Sequence, residues 1–424
     1  MTVYLGIDFG TSGARAIAIN ESGQIVASKK QLFTHPSNLN LTTFWQNCLF
    51  ALLREIPLEQ RQQLGAIAIN GTSATVLLLD PQGKPLSDPI LYSDARGLSV
   101  QDRLQSLVPP NHVVASSTSS LAKLLWWSEQ PYFSQASYFL HQADWLAGLL
   151  HGKWGISDYH NTLKLGYDVE KLRYPDWLLA LPFQSLLPQV LAPGTPVGVV
   201  IPAITETFSI PNDCQVRTGT TDSIAAFLAS DASQPGEAVT SLGSTLVLKL
   251  LSQTRVDAAD YGIYSHRLGD LWLAGGASNT GGAVLRQFFS DDRLTALSEQ
   301  INPDQESPYD YYPLLQPGER FPINNPQLQP QLTPRPASEQ EFLHGLLESL
   351  ARIEKLGYQR LQELGATSTT EIHTAGGGAK NPTWQVIRER QLGIPVSVSQ
   401  QTEAAYGTAL LARSGLDAIS ASPP

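Results

Sequence analysis

Between two apolar runs, Val3 to Ile7 and Ala14 to Ile19, the chain places Asp8-Phe9-Gly10-Thr11-Ser12-Gly13. Runs this short, broken by two glycines, predict a strand, a tight turn and a second strand. The turn carries more chemistry than a bend requires. Small residues let backbone N–H groups approach phosphate oxygens, Thr11 and Ser12 offer hydroxyl donors, and Asp8 suits Mg²⁺ directly or through water. An ordinary hairpin turn would use much the same residues, since Gly and Ser dominate turns. The rest of the chain has to decide between the two.

Length points to two cores, because 424 residues exceed the ~250–300 at which one core stops growing. The expected division is residues 1–230 and 231–424. Against 38 acidic residues stand 28 basic ones, a net charge of −10 with no basic run, which argues against nucleic acid or an anionic membrane as partner. A small soluble ligand fits better. Cys48 and Cys214 stand alone and the eight histidines form no close pair, so neither a disulfide framework nor a zinc site is indicated. With a strand starting at Val3 there is no room for a leader, and no apolar run nears the ~18 residues of a membrane span. A cytoplasmic protein is the expectation.

Strand-like runs at 3–8, 14–20 and 24–30 are followed by a helical period over 42–56, with Phe44, Cys48 and Leu52 on one face and Pro57 as its stop. Strands at 64–70 and 75–80 flank Gly71-Thr72-Ser73-Ala74, and helices follow at 121–129 and 142–150. Such alternation predicts an α/β class. A second opening begins near Gln215, where Val216 leads through Thr218-Gly219-Thr220-Thr221-Asp222 into an apolar helix, with the approach reading as an N-cap region. The hairpin at 238–250 turns on Gly243-Ser244-Thr245, a second hydroxyl-bearing glycine turn without an acid, so duplication is suggested. Nine prolines between Asn302 and Pro336 mark an extended surface insertion in the second domain. The amphipathic helix after it, 338–364, must pack on something. Three glycines, Gly376 to Gly378, precede a helix at 383–391 whose start suits an anion or a flat ring, although such a turn is commonly only a flexible connection. The small-residue helix that opens at 404–409 reads as a packing element.

In order along the chain, Asp8 to Arg15, Gly71 to Thr75, Thr218 to Asp222, Leu242 to Thr245, Pro317 to Pro322 and Ala375 to Trp384 together resemble the FGGY carbohydrate kinases of the actin-like, ribonuclease-H-like superfamily. The likeness runs from about Val3 to about Ala412. It implies two actin-like α/β domains with a catalytic cleft between them, and ATP and Mg²⁺ as cofactors. Carried over by residue, Asp222 matches the base that takes the proton of the attacking sugar hydroxyl. Asp8 matches the Mg²⁺-associated acid, with Asp222 also near the metal, and Thr11 a catalytic neighbour. Gly10, Thr11, Ser12, Gly243, Ser244 and Thr245 match the phosphate loops, while Gly376, Gly377, Asn381 and Trp384 fall where adenine and ribose are held. Trp384 is open to two readings, a ring stacked on the base or a core aromatic.

On the sugar side the likeness implies Asp8, Asp222, Thr72, Ser73 and Asp94, the last from Tyr92-Ser93-Asp94-Ala95-Arg96, which would serve equally as a solvated turn. Thr72 and Ser73 replace the longer Gln and His of xylulose-type members, and the chain is shorter than most of the family, as in the compact plant and cyanobacterial ketopentose kinases. D-Ribulose phosphorylated at its C5 hydroxyl is the expected reaction, with D-xylulose or another small polyol as the alternative acceptor. A catalytically silent sensor and an actin-like ATPase are the rivals from other classes. A ketopentose and ATP are the expected partners, the chain being a monomer or homodimer.

Overall fold

The computed structural model describes residues 1–33, 40–230 and 232–417. The chain divides into two units: Met1–Ala229 together with the helix that follows Glu403, and Ser230–Thr402. The first unit ends at Ala229, and the last helix belongs to it rather than to the second unit.

In the first unit the opening runs form β1 (Val3–Phe9), β2 (Gly13–Asn20) and β3 (Ile25–Leu32), and β4 (Leu64–Gly71) follows the helix Leu41–Glu55. An insertion carries β5 (Val76–Leu79), β6 (Tyr138–His141), β7 (Ile156–Asp158) and β8 (Gln189–Leu191), after which the chain returns as β9 (Pro196–Val199), β10 (Gln215–Arg217) and β11 (Thr220–Thr221). The sheet order is β3-β2-β1-β4-β10-β9, with β11 also paired to β4. β1 runs antiparallel to β2 and parallel to β4. Alternation buries Val3, Leu5, Ile7 and Phe9 against Phe44, Leu49, Leu52 and Leu53 of the helix Leu41–Glu55, the face its period predicted. The insertion has its own apolar cluster around Val76, Leu78, Leu121, Leu125, Trp127 and Phe139.

The second unit repeats that plan. β12 (Glu237–Leu242), β13 (Leu246–Ser252), β14 (His266–Leu268), β15 (Leu271–Ala277), β16 (Glu371–Ala375) and β17 (Val396–Val398) form a sheet in the order β14-β15-β13-β12-β16-β17. As β1 pairs antiparallel with β2 and parallel with β4, so β12 pairs antiparallel with β13 and parallel with β16. The repeated order supports the duplication expected from the two glycine turns. The helix Glu339–Glu363 lies under this sheet with its Ser338 side chain accepting from the Glu341 N–H. Its Glu354 carboxylate takes both forks of Arg388, at 2.6 and 2.7 Å. Arg388 also donates to Thr374 on β16, and Thr240 on β12 donates to Glu354, so one buried ion pair ties two strands to two helices.

Two expectations need correction. The proline-rich stretch forms no helix or strand, yet it is not confined to the surface: Tyr311, Tyr312, Leu314 and Phe321 are buried in the cores of the second unit. The helix Ala404–Ser414 packs within the first unit, on β1 and β4 and on the helix Asp222–Leu228. Its small residues explain the placement. A Cβ on Gly407 would overlap the carbonyl oxygen of Ala225, and one on Gly6 would overlap backbone atoms of Ala405 and Ala409, so helix and sheet approach at backbone distance. No described helix is long and apolar enough to cross a membrane.

Candidate active site

Register places the acids of the first unit. On β1, Asp8 stands beside Asn70 of β4, and β4 in turn sets Asn70 against Thr220 and Gly71 against Thr221 of β11. Three parallel strands therefore end together, and the next residue after β11 is Asp222. Ligands in α/β sheets gather at the carboxyl ends of such strands. Between Val216 and Thr220 four steps oppose three on β4, a bulge in which Gly219 lies so close to the Ile69 carbonyl that a Cβ would overlap it. This bulge aims Asp222 at the end of β4. The residue capping the helix Asp222–Leu228 is Thr221, one position before the acid, so the N-cap region falls where expected without using Asp222 as the cap itself. The Asp222 carboxylate accepts from the Ser223 N–H at 2.7 Å.

Burial pushes the Asp8 carboxyl up from 3.8 to about 7, and the negative charge of Asp222 adds to the rise, while Arg15 and the Asn70 amide oppose it. Arg15 faces Asp8 across β2 and is itself paired with Glu403. Asn70 is held by donating to the Thr408 hydroxyl at 2.5 Å. One oxygen of Asp8, Oδ1, is buried with no hydrogen-bond partner. A buried carboxylate oxygen without a partner, in the field of a second carboxylate, calls for a proton or a cation, which suits Mg²⁺. At the adjoining turn the Gly10 N–H donates to the Gly13 carbonyl at 3.0 Å, leaving Thr11 and Ser12 exposed at its tip.

The other residues expected on the sugar side differ in what they have left to offer. Thr72 is buried; its N–H donates to Gln142 Oε1 at 3.1 Å and its hydroxyl meets Thr75 at 2.5 Å and Gln142 at 3.2 Å. Ser73 is half-buried beside it. The Asp94 carboxylate is gripped by Arg96 through Nε at 3.0 Å and Nη2 at 2.7 Å. That fork holds Asp94 below the usual carboxylate range against an opposing effect of burial. Beneath Asp222, His160 Nδ1 meets the Thr220 hydroxyl at 2.7 Å, and Asp158 accepts the His160 and Asn161 N–H groups at 2.8 and 3.0 Å. This buried support went unnoticed in the sequence.

In the second unit the glycine turns meet at the corresponding strand ends. Ser241 of β12 pairs with Ala375 of β16, which sets Gly243 beside Gly376. Gly376 has φ +86°, and a Cβ there would overlap the carbonyl of Leu242. A third turn joins them: the Gly282 and Ala283 N–H groups donate to the carbonyls of Gly243 and Ser244 at 2.9 and 3.1 Å. Arg286 Nη2 donates to Ser244 Oγ at 3.1 Å, putting a cation on the turn. Neither Gly281-Gly282 nor Arg286 was singled out from sequence, although Thr280-Gly281-Gly282 before an apolar run was the available signal. Glu319, of the Pro-Gly-Glu-Arg segment, is buried and accepts from Ser278, the Asn279 N–H and Tyr312, so it braces the loop leading into that turn.

Trp384 and Asn381, expected on the nucleotide side, are both engaged within the second unit. Trp384 is 3% exposed and packs with Leu242, Leu346, Leu350 and Ile387, with Gly378 against its ring. This is the packing of a core aromatic ring. Asn381 caps the helix Pro382–Leu392 by accepting from the Trp384 N–H at 3.0 Å, and its amide donates to Ser298 at 2.8 Å, so both ends of its side chain are occupied. Gly376 and Gly377 stay at the turn.

Two units of one sheet plan, with paired acids at the strand ends of one and clustered glycine turns at those of the other, define an actin-like α/β phosphotransferase. Residues 3–229 match the N-terminal domain, and residues 238–415 the C-terminal domain, of the FGGY family of carbohydrate kinases. The chain belongs to that family and is a carbohydrate kinase. It is similar to a xylulose kinase of Escherichia coli strain K12, 26% identical over 90% of this chain and 83% of the relative. It is also similar to a gluconokinase of Bacillus subtilis strain 168, 22% identical over 99% and 90%. Among solved structures, the xylulose kinase of Rhodospirillum rubrum superposes with a TM-score of 0.82 at 20% identity, covering 98% of this chain and 92% of the other. A Plasmodium falciparum glycerol kinase with ADP gives 0.82 at 16%, covering 97% and 89%.

Proposed function

We propose that this kinase transfers the γ-phosphate of ATP to the terminal hydroxyl of a ketopentose, with D-ribulose as acceptor and Asp222 as base. The observation carrying the proposal is the carboxylate pair at the ends of β1 and β11: burial and the charge of Asp222 lift Asp8 to about 7, and Asp8 Oδ1 is left unpartnered. A sugar alcohol is a weak nucleophile, and phosphoryl transfer asks the protein chiefly to position it, accept its proton and balance charge. Asp222, half-buried at the start of its helix, takes the proton from the acceptor hydroxyl. Asp8 and Asp222 would hold Mg²⁺, which when bound neutralises charge on the phosphates. Each unit carries donors of its own for phosphate oxygens: N–H and hydroxyl groups at Gly10, Thr11 and Ser12 in the first, and N–H, hydroxyl and guanidinium groups at Gly243, Ser244, Thr245 and Arg286 in the second. Gly376 and Gly377 admit the nucleoside at backbone distance.

Support for D-ribulose comes from the short side chains at Thr72 and Ser73, the first of which is spent on Gln142 and Thr75, leaving the hydroxyl of Ser73 as the offered contact. D-Xylulose is the second reading, favoured by relatives named xylulose kinase. ADP release is to be followed with Mg-ATP and D-ribulose, D-xylulose, other polyols or no sugar. Ketopentose-dependent release, fastest with D-ribulose, is expected. Equal release without sugar would mark an ATPase, and none with any sugar would mark a sensor; either overturns the proposal.

A further inference from the structure

Lys123 has no exposed surface, in a chain that otherwise keeps its lysines at the surface or partly so. It sits on the helix Ser120–Trp127, which Ser119 caps by accepting from the Ala122 N–H, and whose Leu121, Ala122, Leu124 and Leu125 belong to the apolar cluster of the insertion. Burying an ammonium costs heavily unless its donors are met. Here they are met by backbone alone: Nζ donates to the Ala74 carbonyl at 2.8 Å, the Leu91 carbonyl at 2.7 Å and the Tyr92 carbonyl at 3.4 Å. No carboxylate is among its hydrogen-bond acceptors.

The three carbonyls belong to two segments. Ala74 ends the Gly71-Thr72-Ser73-Ala74 turn in the left-handed region, φ +62°, a conformation disfavoured for a residue with a Cβ, and its carbonyl points inward to Nζ. Leu91 and Tyr92 open the stretch that leads to Asp94. The segments are cross-braced a second time, since the Tyr92 N–H donates to the Thr75 hydroxyl at 3.0 Å, which in turn meets Thr72. Burial is the largest influence on Nζ and pulls Lys123 down to about 7; Asp94 opposes it by favouring the ammonium, while Lys164 and Arg96 act in the same direction as burial.

We propose that Lys123 is a positioning residue for the sugar acceptor: its Nζ, donating to the carbonyls of Ala74, Leu91 and Tyr92, fixes the spacing between Ser73 and Asp94. The proposal rests on the reading of those two turns as the sugar side of a ketopentose kinase. A point charge on a flexible stem suits three carbonyls from different directions, as the planar fork of arginine would not. Without it the turn at Ala74 loses the partner that offsets its backbone strain, and acceptor binding is weakened while the nucleotide turns of the second unit are untouched.

Kinetics of the full-length Lys123→Met variant test this, with D-ribulose and D-xylulose as varied substrates and folding checked by circular dichroism. The expected result is a sugar KM raised about tenfold or more, with ATP KM and sugar-free ATP hydrolysis within about twofold of wild type and kcat within about threefold, as for loss of a ground-state binding interaction. Lys123→Gln, which keeps a donor, is expected between wild type and Met, and is read by the same criteria should the Met variant not fold. An unchanged sugar KM, or a parallel rise in both KM values, overturns the positioning role while leaving the kinase reading intact. A wild-type enzyme without ketopentose-dependent turnover removes the ketopentose reading and this proposal with it.

Discussion

Asp8→Asn should make the protein more stable at alkaline pH while damaging its activity. In the folded chain the Asp8 carboxyl is lifted from 3.8 to about 7, first by burial and then by the charge of Asp222. A folded value above the unfolded one means that the native state binds this proton more tightly, so stability falls as pH rises from about 4 to about 7 and the full penalty persists above that. At about 1.4 kcal/mol per pH unit, the rise from 3.8 to about 7 sets a ceiling near 4 kcal/mol. Because the side chain is only half-buried by surface area, solvent screening reduces this to about 1–3 kcal/mol. Asparagine fills the same volume without ionising. Urea unfolding of metal-free, nucleotide-free protein should therefore show Asp8→Asn more stable than wild type by about 1–3 kcal/mol near pH 8, with the gap narrowing toward about pH 5. The reasoning fails if the variant is no more stable at pH 8, or if the gap is the same at both pH values.

Three further substitutions probe the frame around the site. Gly407→Val, forced against the Ala225 carbonyl, should cost about 3 kcal/mol or more and lower the thermal midpoint; an unchanged melting curve would contradict the backbone-distance packing of the last helix. Glu354→Gln, which strands a buried Arg388, should destabilise by about 3–5 kcal/mol in chemical denaturation, and a loss under about 1 kcal/mol would show that the pair is dispensable. Trp384→Phe should leave the KM for ATP within about twofold while lowering stability by about 1–3 kcal/mol; a tenfold rise in that KM with unchanged stability would restore the stacking role instead.

Local chemistry was readable where it depended on neighbours in sequence. The turn at Asp8, the helix facing Phe44, Cys48 and Leu52, the hairpin at Gly243 and the amphipathic period of 338–364 all follow from periodicity and glycine placement, and the two-domain actin-like class came from the order of the motifs. What sequence reading missed depends on contacts across long separations. β11 is two residues long, too short to carry a period, and its pairing beside Asn70 is what brings Asp222 to the strand ends. The last helix meets β1 at Gly6, about 400 residues earlier in sequence, and the helix Asp222–Leu228 at Gly407, so its small residues announce close packing without naming the partners. Trp384 follows a capping asparagine, and nothing local distinguishes a ring turned to ligand from one turned to core. Lys123 looked like any polar residue in an amphipathic helix, because its three acceptors are backbone groups that leave no mark in the sequence. The prolines of 302–336 did exclude helix and strand, but Tyr311, Tyr312, Leu314 and Phe321 among them signalled burial.

Phosphorus–proton correlation NMR of the product formed from D-ribulose and Mg-ATP, by wild type and by Asp222→Ala at matched nucleotide occupancy, addresses the proposed chemistry at the reacting atom. Phosphorus coupled to the protons on C5 with wild type, and product formed at least about a hundredfold more slowly with the variant, is the expected outcome. Phosphorylation at another carbon, or a variant that retains more than about a tenth of wild-type turnover, would contradict a base at Asp222 serving a terminal hydroxyl.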